Sequence, residues 1–207
     1  CSGIFKGNKM RKDYEIILNL IPENSKVLDI GCSDGELITY LENKGISAQG
    51  VELSQEKVIK CLEKGLDVIH GDINLIVEDF PFNQFDYCLL TQTIQAVQEP
   101  DQLLNTLKKV SKNIIVSFNN SARLSKISNF LLTGSFDSLL KKANSDHWYN
   151  TDYIHPCSIK DFKKLATDLD LKIISTFDVL SQKKFENGKI PSNLFCKEVL
   201  FHITNEQ

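Results

Sequence analysis

Apolar residues recur at helical spacing in YEIILNLI (14–21) and stop at Pro22, after which KVLDI (26–30) is a short apolar run bounded by turn residues. This predicts a helix followed by a strand. The alternation then repeats: helix 36–44, strand 47–53, helix 55–65, strand 67–71, a short connection, strand 85–90, helix 100–110 and strand 113–118. None of these strands has a clean polar face, the pattern of a parallel sheet covered by helices on both sides. Ser54 ahead of Gln55 stands where a helix cap stands, and Pro100 suits a first helical position.

After residue 120 the pattern changes. A helix over 122–132, an irregular aromatic stretch over 133–157 and a helix over 158–169 lead to two strands near 171–180 and 195–203. The polar loop between those strands contains Gly188 and Pro191 and is too short for a crossover helix, so the two should pair antiparallel. With 207 residues and 42% apolar content, the chain fits one α/β domain over 10–207, residues 1–9 being an N-terminal extension ahead of Met10. A processed lipoprotein end at Cys1 is the alternative for that extension, but residues 1–9 contain no apolar leader core.

Charge narrows the partners. A net charge of −3, with lysines scattered among acids, gives no footprint for a phosphate backbone, and no apolar run is long enough to span a bilayer. Nucleic acid and membrane are therefore set aside in favour of a small molecule or a protein. The six cysteines show neither a C-x-x-C pair nor histidines at zinc spacing, which suits the reduced thiols of a cytoplasmic protein and predicts no metal.

The most informative stretch is VLDIGCSDGEL (27–37), a strand, a glycine turn and the start of a helix. A dinucleotide site needs G-x-G-x-x-G so that bare backbone meets a pyrophosphate, whereas here Ser33 holds the middle position and position 36 is Glu. A hydrolase elbow reads G-x-S-x-G, which Gly31, Ser33 and Gly35 match, but too few elements precede Ser33 to supply an oxyanion hole. Its histidine would have to be His147, His155 or His202, none of which follows a strand end beside an acid. S-adenosylmethionine (SAM), which offers an ammonium, a carboxylate and a sulfonium instead of a phosphate, tolerates a small Ser33 and is the ligand the turn favours over the other two. Asp29, Glu52 and Asp72 then fall at the carboxyl ends of three successive strands, the edge at which open α/β sheets bind ligands. Each alone is an ordinary solvated strand end; three beside a glycine turn are harder to dismiss.

VLDIGCSDGEL, GVELS, HGDI and FDYCLL together resemble the motifs of Rossmann-like SAM-dependent methyltransferases. TQTIQAVQEP (91–100), IVSFNNSAR (115–123), HWYNTDYIHPCSIKDF (147–162) and SNLFCKEVLF (192–201) are similar to segments of the MetW family of methionine biosynthesis, over about residues 10–203. The resemblance implies a seven-stranded, mostly parallel sheet with an antiparallel last strand. It implies that Asp29, Gly31, Cys32, Ser33 and Gly35 surround the amino-acid end of SAM or of its product S-adenosylhomocysteine (SAH). Glu52 and Leu53 would hold the ribose side, Asp72 and Ile73 the adenine, and Gln92 would lie near the methionine moiety. Two positions depart from the family pattern: Ser33 replaces the usual middle glycine, and Asn119-Asn120 stands where Pro-Asn is common.

Methyl transfer needs mainly an aligned nucleophile in a dry pocket, so no catalytic residue is assigned. The acidic or Asn-Pro-Pro turn of amine methyltransferases is replaced by Thr91-Gln92-Thr93, whose side chains either orient a small substrate or cap the next helix. HWYNTDYIH (147–155) gathers Trp148, Tyr149 and His155 outside regular structure, as a packed lid or as a substrate or partner surface; Asn119 borders the same mouth. Two functions follow. One is a SAM-binding protein acting with a homoserine O-acyltransferase, as the MetW resemblance implies; the other is an active SAM-dependent methyltransferase on a small acceptor.

Overall fold

The computed structural model describes residues 10–135, 155–186 and 188–205. The elements follow in the order α1 (Lys12–Leu20), β1 (Lys26–Ile30), α2 (Glu36–Asn43), β2 (Ser47–Glu52), α3 (Gln55–Glu63), β3 (Val68–His70), α4 (Ile73–Ile76), β4 (Phe85–Thr91), α5 (Pro100–Val110), β5 (Ser111–Asn119), α6 (Leu124–Thr133), α7 (Ile159–Asp168), β6 (Lys172–Asp178), β7 (Lys183–Glu186) and β8 (Glu198–Thr204). The strands form one sheet in the order β3-β2-β1-β4-β5-β8-β6-β7. Strands β1 to β5 run parallel, whereas β8 is antiparallel to both neighbours, pairing Asn119 with Glu198 and Phe177 with Leu200.

The sheet therefore has eight strands and not the expected seven. The added strand, β7, lies inside the stretch read as a polar loop: Lys183–Glu186 turns back on β6 as a hairpin at the sheet edge. Only one of its four residues is even half-buried, so the apolar periodicity that marks an interior strand is missing. A second correction concerns the connection after β3, where Asp72 caps the single-turn helix α4 through its carboxylate and Asn74 N–H at 2.9 Å. Ser54 does occupy the position ahead of α3, but its side chain makes no capping bond, while Pro100 does begin α5 as expected.

Alternate residues of the central strands feed two cores, one on each face of the sheet. Leu28, Ile30, Cys88, Leu90, Val116 and Phe201 face α5 and α7, and Val27, Leu89, Ile115 and Leu200 face α1 and α2. Phe118, Phe162 and Phe201 form the centre of the first, with ring centroids 4.7 to 6.0 Å apart. Among the described residues no helix is long and apolar enough to cross a membrane.

One glycine of β2 shows how closely the layers approach. A Cβ on Gly50 would lie 2.6 Å from Cys32 Sγ, 2.7 Å from Ile38 Cδ1 and 3.0 Å from Val68 Cγ2. Gly50→Ala is therefore expected to cost about 1–3 kcal/mol by overpacking, read as a lower urea midpoint at unchanged m-value. A midpoint equal to the parent's would show that Cys32 and Ile38 move aside freely.

Candidate functional site

The carboxyl ends of β1, β2, β3, β4 and β5 meet at one edge, and β8, being antiparallel, begins there with Glu198. The glycine turn lies at its centre. Gly31 and Gly35 have φ of +73° and +76°, and a Cβ at Gly31 would stand 2.8 Å from Thr93 Oγ1. At Gly35 it would stand 2.3 Å from Leu66 Cδ1, so both positions need glycine for conformation and for space. Ser33 adopts φ +54° without that freedom, which accounts physically for the glycine usual at this position.

The turn is tied to β2 at several points. The N–H groups of Gly31 and Cys32 donate to the Val51 carbonyl at 2.8 and 3.2 Å. Glu52, 7% exposed, receives the Ser33 N–H on Oε2 and the Ser54 N–H on Oε1, both at 2.9 Å. Beneath the turn, Cys61 on α3 donates its thiol to the Ser33 carbonyl at 3.3 Å, and burial pushes the Cys32 thiol pKa upward. The five described cysteines are free.

Asp29 is the anomaly of the site. Its side chain is 1% exposed, and Oδ1 is buried without a hydrogen-bond partner. Burial first, then the Asp13 and Glu52 charges, push its carboxyl up to about 7 against the opposing pull of Arg11. An unpaired buried carboxylate oxygen costs stability unless something with an N–H or O–H completes it.

At the neighbouring strand ends, Gln92 adopts φ +60°, donates its amide to Glu198 Oε1 at 2.8 Å and accepts from Asn119 Nδ2 at 2.7 Å. Burial, followed by the Asp13 charge, raises the Glu198 carboxyl to about 7. Gln92 and Thr93 cap no helix: α5 starts only at Pro100, and the Thr93 hydroxyl is shared between the Ile30 and Thr91 carbonyls at 3.1 and 3.2 Å. Asn120 is fully engaged in holding the Asn193 and Cys196 carbonyls and the Ala122 N–H, a structural clamp beside the mouth.

The edge thus brings together Asp29, Gly31, Cys32, Ser33, Gly35, Glu52, Gln92, Thr93 and Asn119. Half-buried Asp72 and buried Ile73 follow β3, and Leu53, 68% exposed, follows Glu52. His155 stands apart from the turn, its ring bonded to the Gln98 carbonyl at 3.0 Å and its N–H to the Gln95 carbonyl. Trp148 and Tyr149 lie outside the described residues. The rings of the three described histidines bond Leu53, Gln98 and Asn113, so none of them is paired with Ser33 as a hydrolase would require.

Sequence reading passed over Arg11, Asp13 and Glu198. Asp13 is 1% exposed and joins Arg11 at 2.5 Å to the Ser117 hydroxyl at 3.2 Å, linking α1 to the end of β5. The available signal for Glu198 was topological: a last strand antiparallel to its neighbours places its first residue, not its last, at the carboxyl edge of the parallel strands.

Comparison with known proteins places this geometry in context. The family described as Methionine biosynthesis protein MetW matches residues 11–203. A bifunctional methionine biosynthesis protein MetXA/MetW from Rhodopirellula baltica is 30% identical over 205 residues, covering 93% of this chain. The chain spans 33% of that relative's length. Among solved structures, a TehB-like SAM-dependent methyltransferase from Corynebacterium glutamicum superposes with a TM-score of 0.64 at 16% identity, over 97% of this chain and 90% of its own. A SAM-dependent methyltransferase from Thermotoga maritima, described as a possible histamine N-methyltransferase, gives 0.67 at 15% identity, over 94% and 88%. These structures share the Rossmann-like methyltransferase fold with this chain, and the match over nearly its full length shows that it belongs to the MetW family of methionine biosynthesis proteins.

Proposed function

We propose that the chain binds SAM at the carboxyl edge of its sheet and acts in methionine biosynthesis beside a homoserine O-acyltransferase, with SAM as the sensed ligand. The observation that carries the reading is the unpartnered oxygen of buried Asp29 beside a turn whose Gly31 and Gly35 leave no room for a side chain. An α-ammonium group supplies the missing donor, and the ribose hydroxyls can use lone pairs of Glu52 that the two backbone bonds leave free. Leu53 offers exposed apolar surface, and Asp72 Oδ2 an acceptor, to an adenine between β2 and β3, with Ile73 beside them at the start of α4; Cys32 and Ser33 line the turn itself. When bound, SAM supplies an electrophilic methyl group; the residues here would orient it and keep water away. The partner is supported by the relative in which MetXA and MetW form one bifunctional protein.

Methyl transfer to a small acceptor is the second reading. The Asn119–Gln92–Glu198 chain favours it, because a carboxylate held beside the methionine end of the site suits an acceptor that must lose a proton.

Calorimetric titration with SAM and SAH tests the common part of both readings, and binding of each is expected. Added to a homoserine O-acyltransferase, the protein should change its activity, and SAM should modulate that change by linkage. An acyltransferase indifferent to the protein, alongside normal SAM binding, would turn the reading to the methyltransferase.

A further inference from the structure

The helices α1, α2, α3, α5 and α7 each sink apolar residues into one of the two cores, whereas α6 buries none of its ten residues. Yet α6 is rich in apolar side chains. Leu124, Ile127 and Leu131 recur at i, i+3 and i+7 and so share one face, on which Leu131 is 76% exposed and Leu124 is exposed as well. Leucines turned to water on a packed α/β domain mark a surface that something else covers.

The start of α6 adjoins a second exposed apolar element. The Leu124 N–H donates to the Leu194 carbonyl at 2.8 Å, which sets the helix beside the turn 192–196 ahead of β8. That turn is held from several sides. The Cys196 N–H closes it on the Ser192 carbonyl at 3.0 Å, the amide of buried Asn120 donates to the Asn193 and Cys196 carbonyls at 2.7 and 2.9 Å, and the Asn193 side chain accepts the Lys160 N–H of α7 at 3.3 Å. What this clamp presents is outward: Leu194 is exposed and Phe195 is 74% exposed. A turn bonded in this way loses little conformational entropy when a partner arrives, and a fixed aromatic ring is the residue type around which interfaces concentrate their affinity. Asn119, next to the clamp, bonds Gln92 at the carboxyl edge, so the surface borders the SAM site.

We infer that α6 and the turn 192–196 form the docking surface for the homoserine O-acyltransferase, with Phe195 and Leu131 as its anchors. The inference rests on the partner reading above. The occupant is fixed by the relative that carries MetXA and MetW in one protein: this chain spans 33% of it, and the MetXA part lies in the remainder, within reach of the MetW part. Arg123, Lys160 and Lys197 flank the two segments, so the complementary face is apolar at its centre and acidic at its rim.

The test measures by sedimentation velocity the binding of the protein, and of Phe195→Asp, Leu131→Gln and Phe82→Asp, to purified homoserine O-acyltransferase from the same organism. Phe82, ahead of β4, is as exposed as Phe195 and serves as the control outside the surface. SAH titration and the urea midpoint report folding. The parent should form a complex. Phe195→Asp and Leu131→Gln should each weaken it roughly tenfold or more at unchanged SAH affinity and midpoint, and Phe82→Asp by less than about twofold. Complexes as tight as the parent's from both surface variants overturn the inference and leave the partner reading standing, and equal weakening by Phe82→Asp does the same. A parent that self-associates, and that the surface variants turn into a monomer while acyltransferase binding persists, gives the surface to a second copy and overturns the inference as well. A parent that forms no complex overturns the partner reading and the inference with it.

Discussion

Asp29→Asn should weaken SAM and SAH on the order of a hundredfold and leave 5′-methylthioadenosine nearly unaffected. The substitution keeps shape and removes charge at a side chain that is 1% exposed, so what it deletes is the anion offered to the ligand's ammonium. In the parent, a carboxyl raised to about 7 is mostly neutral at pH 6 and mostly ionised at pH 8. Affinity for the ammonium should therefore rise roughly tenfold over that interval, and the Asn variant should lose Asp29's share of the rise. Glu198, raised into the same range, supplies what remains. Stability moves the other way. A carboxyl whose pKa is raised by folding contributes stability that is complete below its ordinary range and is lost as pH rises through about 7. The unliganded Asn variant should thus lose less stability than the parent between pH 5 and 8 in urea unfolding. Equal pH slopes for the two proteins would mean that Asp29 is ionised across this range in the folded state as it is in the unfolded one, and equal SAH affinity would mean that it plays no part in binding.

Much of this candidate site was legible in sequence because its residues sit at strand ends, where an apolar run gives way to glycine and acid. Gly31, Glu52 and Asp72 each follow an apolar run, and the rule that parallel sheets bind at their carboxyl edge was enough to gather them. Arg11 and Asp13 escaped because they precede the first strand: nothing local reveals that α1 crosses to the end of β5, a contact made 104 residues away through Ser117. Glu198 escaped because its strand runs opposite to the others. The hairpin strand β7 escaped because a mostly exposed edge strand made of Lys-Lys-Phe-Glu carries no burial pattern. Single-turn α4 is likewise set by the Asp72 cap and by one buried residue, Ile73, too little for a periodic signal. Of the aromatic loop, His155 has its ring bonded to the Gln98 carbonyl, and Trp148 and Tyr149 lie outside the described residues.

Glu52→Gln should be the complementary loss, weakening SAM, SAH and methylthioadenosine alike by roughly thirty- to a hundredfold. The three share a ribose, and Glu52 closes β2 where both ribose hydroxyls would seek an acceptor. The variant has a second cost that Asp29→Asn lacks. Both Glu52 oxygens already accept backbone N–H groups, from Ser33 and Ser54, so an amide in their place sets one donor against another. One of those N–H groups loses its acceptor, and the Ser33 turn at φ +54° loses a tether, for about 1–3 kcal/mol of stability. A lower unfolding midpoint should therefore accompany the loss of every adenosine ligand. The Asp29→Asn variant should spare methylthioadenosine, whereas the Glu52→Gln variant should not. If Glu52→Gln weakened SAH yet left methylthioadenosine unchanged, the ribose would have to be moved away from β2 and the ligand turned end for end along the sheet edge.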